Sequence, residues 1–552
     1  MKTIKIFLIS LITTVLLSGC YEDKGNYDYN DLVKITLDVG DVKDITLGYE
    51  LKITPTITLS KDMPDLHLAY KWILEGDVIS TERNLNWVAD RYTEEFSDNL
   101  IFEVSDLDND IQYRVAASFS IIGKYEVDGY LVLADKGGKK YLHLLYSSYD
   151  EDGNDIYVPL VDVFGLENNG EAIPANSTKF FEHYCRQGIA YKNQIMLLDG
   201  DKTFEVEGSS FKKVEYTLQD MFNGAVPADL QNSVKDAFFM QRLDFISDTK
   251  GQLYSRVKST FEFFHSEYFL NAPVTFEGEV LKDIDIVPSS YGCNTPFCLL
   301  YDKNKKRFLV IWDYQSSYDN SYVSGKIQKI PDNGNWNENV PAANDICKDY
   351  VIHRIDSYKR DVNDYPPATR YSCIVENIVS GEYYVYDFGV QKEYEGTEAD
   401  WALEKNSEEP KVDASMEKIP DDVLSLFTNP DNVIYTLPWG QNGWCTLIAQ
   451  GRNLYVYNRK APLAGSSETT PNPRLVSFTF DSEIAAMDGN TYRSNNLGVA
   501  FKDGTFQVLD IRNIALGKCS SVWKSESDLG LGTPISVLLH TTGNLNLDWR
   551  DQ

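Results

Sequence analysis

A short β-hairpin unit recurs seven times between residues 125 and 545, and this recurrence leaves few folds open to the chain. Each unit has an apolar strand, a polar or Gly-containing turn and a second strand. Periodic hairpins joined by longer, variable connections are typical of β-propeller blades. The units start 58, 57, 53, 75, 73 and 52 residues apart, at Gly129, Gln187, Asp244, Phe297, Ser372, Cys445 and Leu497.

These hairpins must pack against each other, because a single hairpin is only marginally stable in water. Closing seven of them into a ring removes the exposed strand edges. We therefore predict an all-β chain with a seven-bladed β-propeller over residues 124–552. Six or eight blades, or a stack of two or three separate β-sandwiches, are the alternatives. Helical pattern is scarce, and we expect short helical insertions within 218–238 and 418–427.

The segment 35–123 has the strand pattern of a β-sandwich. Alternating runs such as "ELKITPTITL", "LAYKWIL" and "YRVAASFSI" are separated by turn residues at the intervals usual for this fold. Trp72 takes the place of the core tryptophan of a sandwich, and Tyr113 resembles a tyrosine corner. We expect an Ig-like or PKD-like module without a disulfide, acting as a spacer.

The N-terminal residues predict where the protein is located. A basic start is followed by an apolar stretch, which is the layout of a signal peptide. The run "LSGC" at 17–20 resembles the bacterial lipobox, in which cleavage leaves the cysteine first and its thiol is acylated. We predict a signal peptide at 1–19, lipid attachment at Cys20 and a flexible tether at 20–34. The acidic pair at 22–23 resembles a surface-export signal, so the predicted location is the outer membrane, facing outward.

The chain is strongly acidic, which limits its partners. The net charge is −31, and it becomes −33 when residues 1–19 are removed, since they carry two lysines. Such a field repels nucleic acid and anionic lipid. We therefore expect no nucleic-acid partner, and membrane contact through the N-terminal lipid only.

Seven cysteines remain when Cys20 is set aside, and no CxxC motif occurs. An odd number without close pairs argues against a dense disulfide framework or a zinc site. Cys298, Cys373 and Cys445 lie in apolar, strand-like runs and are interpreted as small buried hydrophobic residues. A bridge between Cys293 and Cys298 is left open.

The sequence lacks the compact motifs of common catalytic sites. None of its six histidines forms HExxH, and a GxSxG elbow, a P-loop and a GxGxxG are absent. We therefore predict no catalytic, cofactor or metal residues and favour a binding protein over an enzyme. The Asp-rich runs at 106–110 and 150–155 begin like a calcium loop, but position 12 counted from Asp150 is Val161. We interpret both runs as solvated turns and leave calcium binding open.

The segments just before six of the hairpins form a predicted ligand face. If the hairpins superimpose, these segments emerge on the same side of the disc, and all contain Arg, Gln or Asn. Such groups, beside aromatic rings, bind a sugar or an extended peptide. Plugging of the central channel, or docking of a protein, is the alternative. The candidates are Tyr184, Arg186, Arg242, Tyr291, Arg370, Tyr371, Trp439, Trp444, Tyr492 and Arg493.

The run "SGCYEDKGNYDY", the sandwich with "LAYKWILEGDVIS" and the long β region together resemble the PKD-like surface lipoproteins of Bacteroidetes. The resemblance spans the whole chain, with "CYEDKGNYDY" as its compact motif. It implies a place beside SusC/SusD-like, TonB-dependent uptake systems. It thus implies a non-catalytic accessory lipoprotein that binds glycan or peptide, or acts as a scaffold. A surface propeller hydrolase or lyase acting on polysaccharide or peptide is the alternative.

Overall fold

The chain divides between Ile121 and Ile122 into two compact units in the computed structural model. The residues described are 32–91, 93, 98–187, 190–198, 202–230, 234–240, 242–257, 268–287, 297–315, 322–330, 340–359, 369–395, 398–403, 414–437, 445–459, 473–490 and 495–540. The predicted signal peptide, Cys20 and most of the tether lie outside this range. Among the described residues, no helix has the length and apolar character needed to cross a bilayer.

The N-terminal unit is a β-sandwich built from short antiparallel strands. Its largest sheet has the order β6-β5-β8-β9, and the pairs β1–β4, β3–β7 and β2–β10 complete it. The strands are β1 Ile35–Asp38, β2 Ile45–Thr46, β3 Glu50–Ile53, β4 Thr56–Leu59, β5 Leu68–Leu74, β6 Asp77–Ser80, β7 Leu85–Val88, β8 Leu100–Asp106, β9 Ile111–Ala117 and β10 Ile121–Ile122.

Trp72 lies in the sandwich core, as predicted. Its side chain is fully buried and stacks on Phe102 of the neighbouring strand, with 4.4 Å between ring centroids. The indole N–H donates to the carbonyl oxygen of Glu82 at 3.1 Å, so this buried polar atom is satisfied. The tyrosine-corner interpretation of Tyr113 is wrong. Its hydroxyl donates to the carbonyl oxygen of Val33, which lies 80 residues earlier instead of a few residues upstream.

In the part of the C-terminal unit that the structure describes, the chain continues with strands β11 to β40 and four short helices. The first strands are β11 Gly129–Lys136, β12 Lys139–Tyr149, β13 Asp155–Leu160, β14 Lys179–Gln187, β15 Ala190–Leu198, β16 Phe204–Glu207, β17 Lys213–Thr217, β18 Val234–Phe239, β19 Leu243–Asp248, β20 Leu253–Val257, β21 Thr275–Phe276, β22 Glu279–Val280, β23 Ile284–Val287, β24 Phe297–Asp302, β25 Arg307–Gln315 and β26 Tyr322–Lys329. The remaining strands are β27 Tyr350–Lys359, β28 Thr369–Asn377, β29 Tyr383–Glu395, β30 Glu398–Leu403, β31 Ser415–Lys418, β32 Val433–Thr436, β33 Cys445–Gln450, β34 Asn453–Asn458, β35 Leu475–Thr479, β36 Ile484–Asn490, β37 Asn496–Phe501, β38 Phe506–Asp510, β39 Ser520–Lys524 and β40 Thr533–His540. The helices are α1 Val163–Glu167, α2 Leu218–Met221, α3 Ala343–Asp349 and α4 Asp421–Thr428, with a 3₁₀ turn at Ile514–Leu516.

These strands form a β-propeller, as predicted. In the described part of the chain there are seven antiparallel blades, and a separate two-stranded hairpin, β21–β22. Consecutive strands pair within blades 2, 3, 4, 6 and 7, so each of these is a local meander, whereas β40 pairs with β11 in blade 1 and β31 pairs with β29 in blade 5. We number the blades from the one that contains β11. Blade 1 is β40-β11-β12-β13, blade 2 is β14 to β17, blade 3 is β18 to β20, blade 4 is β23 to β26, blade 5 is β27 to β31, blade 6 is β32 to β35 and blade 7 is β36 to β39.

Blade 1 closes the ring, because it combines strands from the two ends of this unit. The last strand, β40, pairs with β11 from Gly129 opposite His540 to Asp135 opposite Thr533. It also contacts β36 of blade 7 and β14 of blade 2 on either side. A closed ring leaves no free sheet edge between its first and last blades.

Six of the seven predicted hairpins are confirmed as the second and third strands of their blades. The hairpin that begins at Gly129, for example, turns at Gly137–Gly138, where both φ angles are positive and favour glycine. The hairpin predicted at Gln187 is wrong. The residues after 189 form one continuous strand, β15, which pairs along its whole length with β14.

One helix prediction is confirmed and the other is largely wrong. Helix α4 occupies the segment predicted at 418–427. Among the described residues of 218–238, α2 is the only helix, a single turn capped by Thr217 in a capping box. Asn223 and Gly224 then adopt positive φ angles, which end the helix. The rest of the segment supplies β18, the innermost strand of blade 3, so packing in the ring overrides local helical propensity.

The cysteine interpretation is confirmed for the three residues on which it rested. Cys298, Cys373 and Cys445 are buried free thiols between blades. The Cys298 thiol lies 3.5 Å from the carbonyl oxygen of Val287. Cys293 lies outside the described residues, and Cys298 is a free thiol here.

Candidate functional site

The two ends of the central channel differ, and each is named here by its strands. The innermost strands of all blades run in the same direction, because each blade repeats the same antiparallel order. We call the end at which they begin the amino mouth and the end at which they finish the carboxyl mouth. The predicted ligand segments join the first strand of a blade to its second, so the strand ends that flank them lie at the carboxyl mouth.

A cavity of about 240 Å³ lies at the opposite end, the amino mouth. Its walls are the early parts of β18 and β27 and the whole of β23, the innermost strands of blades 3, 5 and 4, together with Ser247 and Tyr301. Charged side chains of both signs line it, together with isoleucines from β23 and β27. The lysine, arginine and aspartate residues in the lining are Lys235, Arg354, Asp236 and Asp285.

The charges around this cavity are held in half-exposed ion pairs. The ammonium groups of Lys235 and Lys303 lie 3.2 and 2.9 Å from the carboxylate of Asp285, and Lys179 lies 2.9 Å from Asp236. These side chains are between about a third and a half exposed. Ion pairs of this kind are typically worth only about 0–1 kcal/mol. A charged group of a ligand can therefore replace one partner of such a pair at a small cost in free energy.

Arg354 is placed in the cavity wall by an irregularity of its strand. The pairing of β27 with β28 shifts register between Ile352 and Arg354, with His353 as the extra residue. Such bulges redirect the side chains that follow them. The Arg354 guanidinium donates from Nε to Asp356 at 2.6 Å and from Nη2 to the carbonyl oxygen of Ile434 at 2.9 Å. The Arg354 side chain is 37% exposed.

A buried arginine network lies near the carboxyl mouth, between blades 5 and 6. Arg370 donates to the Tyr358 hydroxyl at 3.2 Å, and that hydroxyl donates to Asp387 at 3.1 Å. Arg459 donates to the same carboxylate at 3.0 Å and stacks over the Tyr358 ring at 4.2 Å. Burial raises the pKa of Tyr358. This network joins two blades, and such buried charges are stable only when paired and hydrogen-bonded.

Three of the predicted ligand-face residues have described side chains, namely Arg242, Arg370 and Tyr371. Arg370 and Tyr371 are both fully buried and, as neighbours in β28, face opposite sides of the blade. Tyr371 packs against Phe388 in the core between blades 4 and 5, with 5.4 Å between ring centroids. The Arg242 backbone N–H donates to Asp313 of blade 4 at 2.6 Å. In these positions the side chains of Arg370 and Tyr371 contribute to the packing between blades. A ligand role for Arg242, Arg370 and Tyr371 stays a prediction.

The other predicted ligand-face residues fall where the structure gives no side-chain description. For Tyr184 and Arg186, only the backbone of β14 is described. The ligand role of this group also stays a prediction. The candidates outside the described residues are Tyr291, Trp439, Trp444, Tyr492 and Arg493.

Two carboxylates contact the closing strand inside the ring. Asp488 of β36 accepts the backbone N–H of Leu539 at 2.6 Å. On the other side, Glu182 of β14 contacts Nδ1 of His540 at 2.6 Å, and the His540 ring is fully buried. Burial raises the pKa of Asp488 to about 6, and the nearby charge of Glu182 acts in the same direction. These groups therefore serve ring closure and lie apart from the amino-mouth cavity.

We expect the raised pKa of Asp488 to appear as a pH dependence of stability. Its folded-state value of about 6 exceeds its ordinary value of 3.8, so the folded state binds the proton more tightly. The resulting stabilisation is fully present below pH 3.8 and is lost as the pH rises through 6. Relative to Asp488→Asn, the wild-type free energy of unfolding should therefore rise by about 2–3 kcal/mol from pH 7 to pH 4. Urea unfolding at both pH values measures this, and a pH-independent difference would contradict it.

The two Asp-rich runs are turns that use their own carboxylates as caps. Asp150 accepts the backbone N–H groups of Asp152 and Asn154 at 2.9 and 2.8 Å, and hydrogen bonds from Asn154 lower its pKa. Asp106 accepts from Asp108 and Asn109 in the same manner. Within the described residues, no group of three or more His, Cys, Asp or Glu side chains is arranged to hold a metal ion.

The sequence patterns used above did not indicate the cavity residues, although the sequence contains a local signal for them. Asp285 and Arg354 each stand next to isoleucine in an innermost strand, in "DIDIV" and "VIHRID". A charged residue inside a strand that precedes a propeller hairpin marks a position that faces solvent or a partner. Recognising that two such strands share one cavity requires the three-dimensional order of the blades, which the sequence pattern does not supply.

Comparisons with known proteins give one family match and several structures of similar fold. Among curated proteins, none matches this chain. AztD from Citrobacter koseri is similar in structure, with 9% identity, a TM-score of 0.33, and coverage of 85% of this chain and 97% of that chain. The Cps50 (Swd1) β-propeller domain of Myceliophteria thermophila has 9% identity, a TM-score of 0.31, and coverage of 64% and 88%. The WD40 β-propeller domain of Doa1 has 12% identity, a TM-score of 0.27, and coverage of 71% of this chain and 96% of that chain.

The family match concerns the N-terminal part of the chain. The model of the PKD-like family matches residues 20–176. This range runs from the predicted lipid-attachment residue through the β-sandwich and the first three strands of the C-terminal unit to the residues just before β14. The part of the chain shared with the PKD-like family is therefore residues 20–176.

Proposed function

We propose that this chain is a lipid-anchored protein of the outer cell surface. It serves there as a non-catalytic accessory component of a SusC/SusD-like, TonB-dependent uptake complex for glycan or peptide. The observation that carries the proposal is the start of the PKD-like match at residue 20. That residue is the cysteine of the run "LSGC", at which lipoprotein cleavage would begin the mature chain.

The propeller supports the binding part of this proposal. Its amino-mouth cavity presents charged groups in half-exposed pairs, which a polar ligand can exchange at little cost. The carboxylate with the raised pKa, Asp488, accepts a backbone N–H inside the ring and contributes to closure.

Metabolic labelling with a palmitate analogue tests the anchor. The wild-type chain should carry the label and fractionate with the outer membrane, and externally added protease should degrade it in intact cells. Cys20→Ser should abolish both the label and the membrane association. An unlabelled wild-type chain, or a labelled chain protected from protease in intact cells, would contradict the proposal.

Incubation with panels of glycans and peptides separates binding from catalysis. The proposal expects reversible binding without chemical change of the ligand, or co-purification of a transporter when no ligand binds. Product formation that is lost on replacing a single acidic residue would replace it with the hydrolase or lyase alternative.

A further inference from the structure

We infer that the amino-mouth cavity is a binding site for a small zwitterion, a molecule with one ammonium and one carboxylate, such as a free amino acid or a short peptide. This deepens the proposed function, because it assigns the ligand class and the site. It places the site at the end of the channel opposite to the face predicted from the sequence.

The size of the cavity limits the ligand to a small molecule. Its volume of about 240 Å³ falls just below the range of roughly 300–1,000 Å³ typical of small-molecule sites. A molecule of one or two residues fits such a volume, whereas an oligosaccharide does not. Isoleucines of β23 and β27 give the walls an apolar part, against which a carbon skeleton can rest.

The charges of the lining select a molecule that carries both signs. Lys235 and Arg354 provide two positive charges, and Asp236 and Asp285 provide two negative ones, so the lining is balanced. A purely anionic ligand would also be repelled by the electrostatic field of the chain, whose net charge is −31. A zwitterion carries no net charge and avoids this repulsion, while it satisfies groups of both signs locally.

Each end of the ligand has a matching group in the wall. Arg354 lines the cavity with a partly exposed side chain, and the planar fork of arginine suits a carboxylate. Asp285 already has two ammonium partners, Lys235 and Lys303, within 3.2 Å. An incoming ammonium can displace one of them and leave the carboxylate paired. We therefore assign the ligand carboxylate to Arg354 and the ligand ammonium to Asp285.

Calorimetric titration of the full-length chain in detergent tests this assignment with alanine and Ala-Ala as probes. Ala-Ala amide and N-acetyl-Ala-Ala serve as versions that lack one charge, and glucose as a neutral polar molecule. We expect binding of alanine, Ala-Ala or both, and the two arms distinguish a free amino acid from a peptide as the source. Loss of either terminal charge should weaken binding at least tenfold. Absence of binding by both zwitterions, equal affinity for the blocked versions, or binding of glucose alone would overturn the inference.

Two variants test the residues separately. Arg354→Gln should weaken binding of the zwitterion at least tenfold and remove the preference for the free carboxylate over the amide. Asp285→Asn should remove the preference for the free ammonium over the acetylated form. A purely structural role would lower the unfolding midpoint without changing these preferences, and Arg512→Gln on blade 7 provides a matched exposed control. Retained preferences in both folded variants would overturn the inference. If zwitterions fail to bind while a transporter still co-purifies, this inference fails and the proposed function stands.

Discussion

Replacing Arg256 by alanine is expected to lower the free energy of unfolding of the propeller by about 3–5 kcal/mol. The Arg256 guanidinium is fully buried and donates to Glu205 of blade 2 at 2.6 Å and to Asp244 of blade 3 at 2.9 Å. It also lies over the Phe269 ring at 4.6 Å. Alanine removes the cation but leaves both carboxylates, which are themselves fully buried. The cost is large because charges buried without this partner cannot be solvated by water.

Urea unfolding of the wild type and three variants measures this effect. The exposed Arg512, which pairs with Asp510 at the surface, is the matched control, and Arg512→Ala should leave the unfolding midpoint nearly unchanged. Removing the three charges together, as Arg256→Met with Glu205→Gln and Asp244→Asn, should cost less than Arg256→Ala alone. If the Arg256→Ala variant is as stable as the wild type, the ion pairs of Arg256 do not hold blades 2 and 3 together.

Deletion of residues 533–552 is expected to prevent the propeller from closing. This truncation removes β40, the innermost strand of blade 1, and exposes the hydrogen-bonding edge of β11. It also leaves Asp488 and Glu182 without the groups they contact on β40, namely the Leu539 N–H and His540. An exposed strand edge promotes association between chains. The truncated chain should therefore be digested rapidly by protease and elute as aggregates.

Addition of the missing strand provides the control for this deletion. A synthetic peptide covering residues 533–540 should occupy the gap beside β11 and partly restore protease resistance. A peptide of the same composition in scrambled order should not. A truncated chain that stays monomeric and as protease-resistant as the wild type would contradict the closure by β40.

The sequence predicted the parts of the fold whose signals are local. The middle hairpins of the blades are apolar strands joined by polar or Gly-containing turns, and six of seven were placed correctly from this pattern. The hairpin at Gln187 failed because Lys192 and Asn193 resemble a turn but continue the ladder of β15. The pairing of Gly129 with His540 spans the whole unit, and no local pattern in the sequence encodes it.

The site was harder to predict than the fold, for physical reasons. Arg370 and Tyr371 have the residue types of a ligand face, yet both side chains are buried between blades. Residue type alone does not separate an arginine that binds a ligand from one that joins two blades. Asp285 and Arg354 come from different blades, and they share a cavity only because β23 and β27 are neighbours in the ring. That adjacency follows from blade order, which is a property of the closed structure.

The most direct test of the account is affinity purification of the tagged, full-length chain from gently solubilised outer membranes, followed by mass spectrometry. The account predicts that the chain is recovered from the outer-membrane fraction together with a SusC/SusD-like transporter. Cys20→Ser should abolish both the membrane recovery and the transporter, because the anchor positions the chain beside it. Recovery of the wild-type chain without a transporter, or from the soluble fraction, would contradict the proposal of an accessory surface lipoprotein.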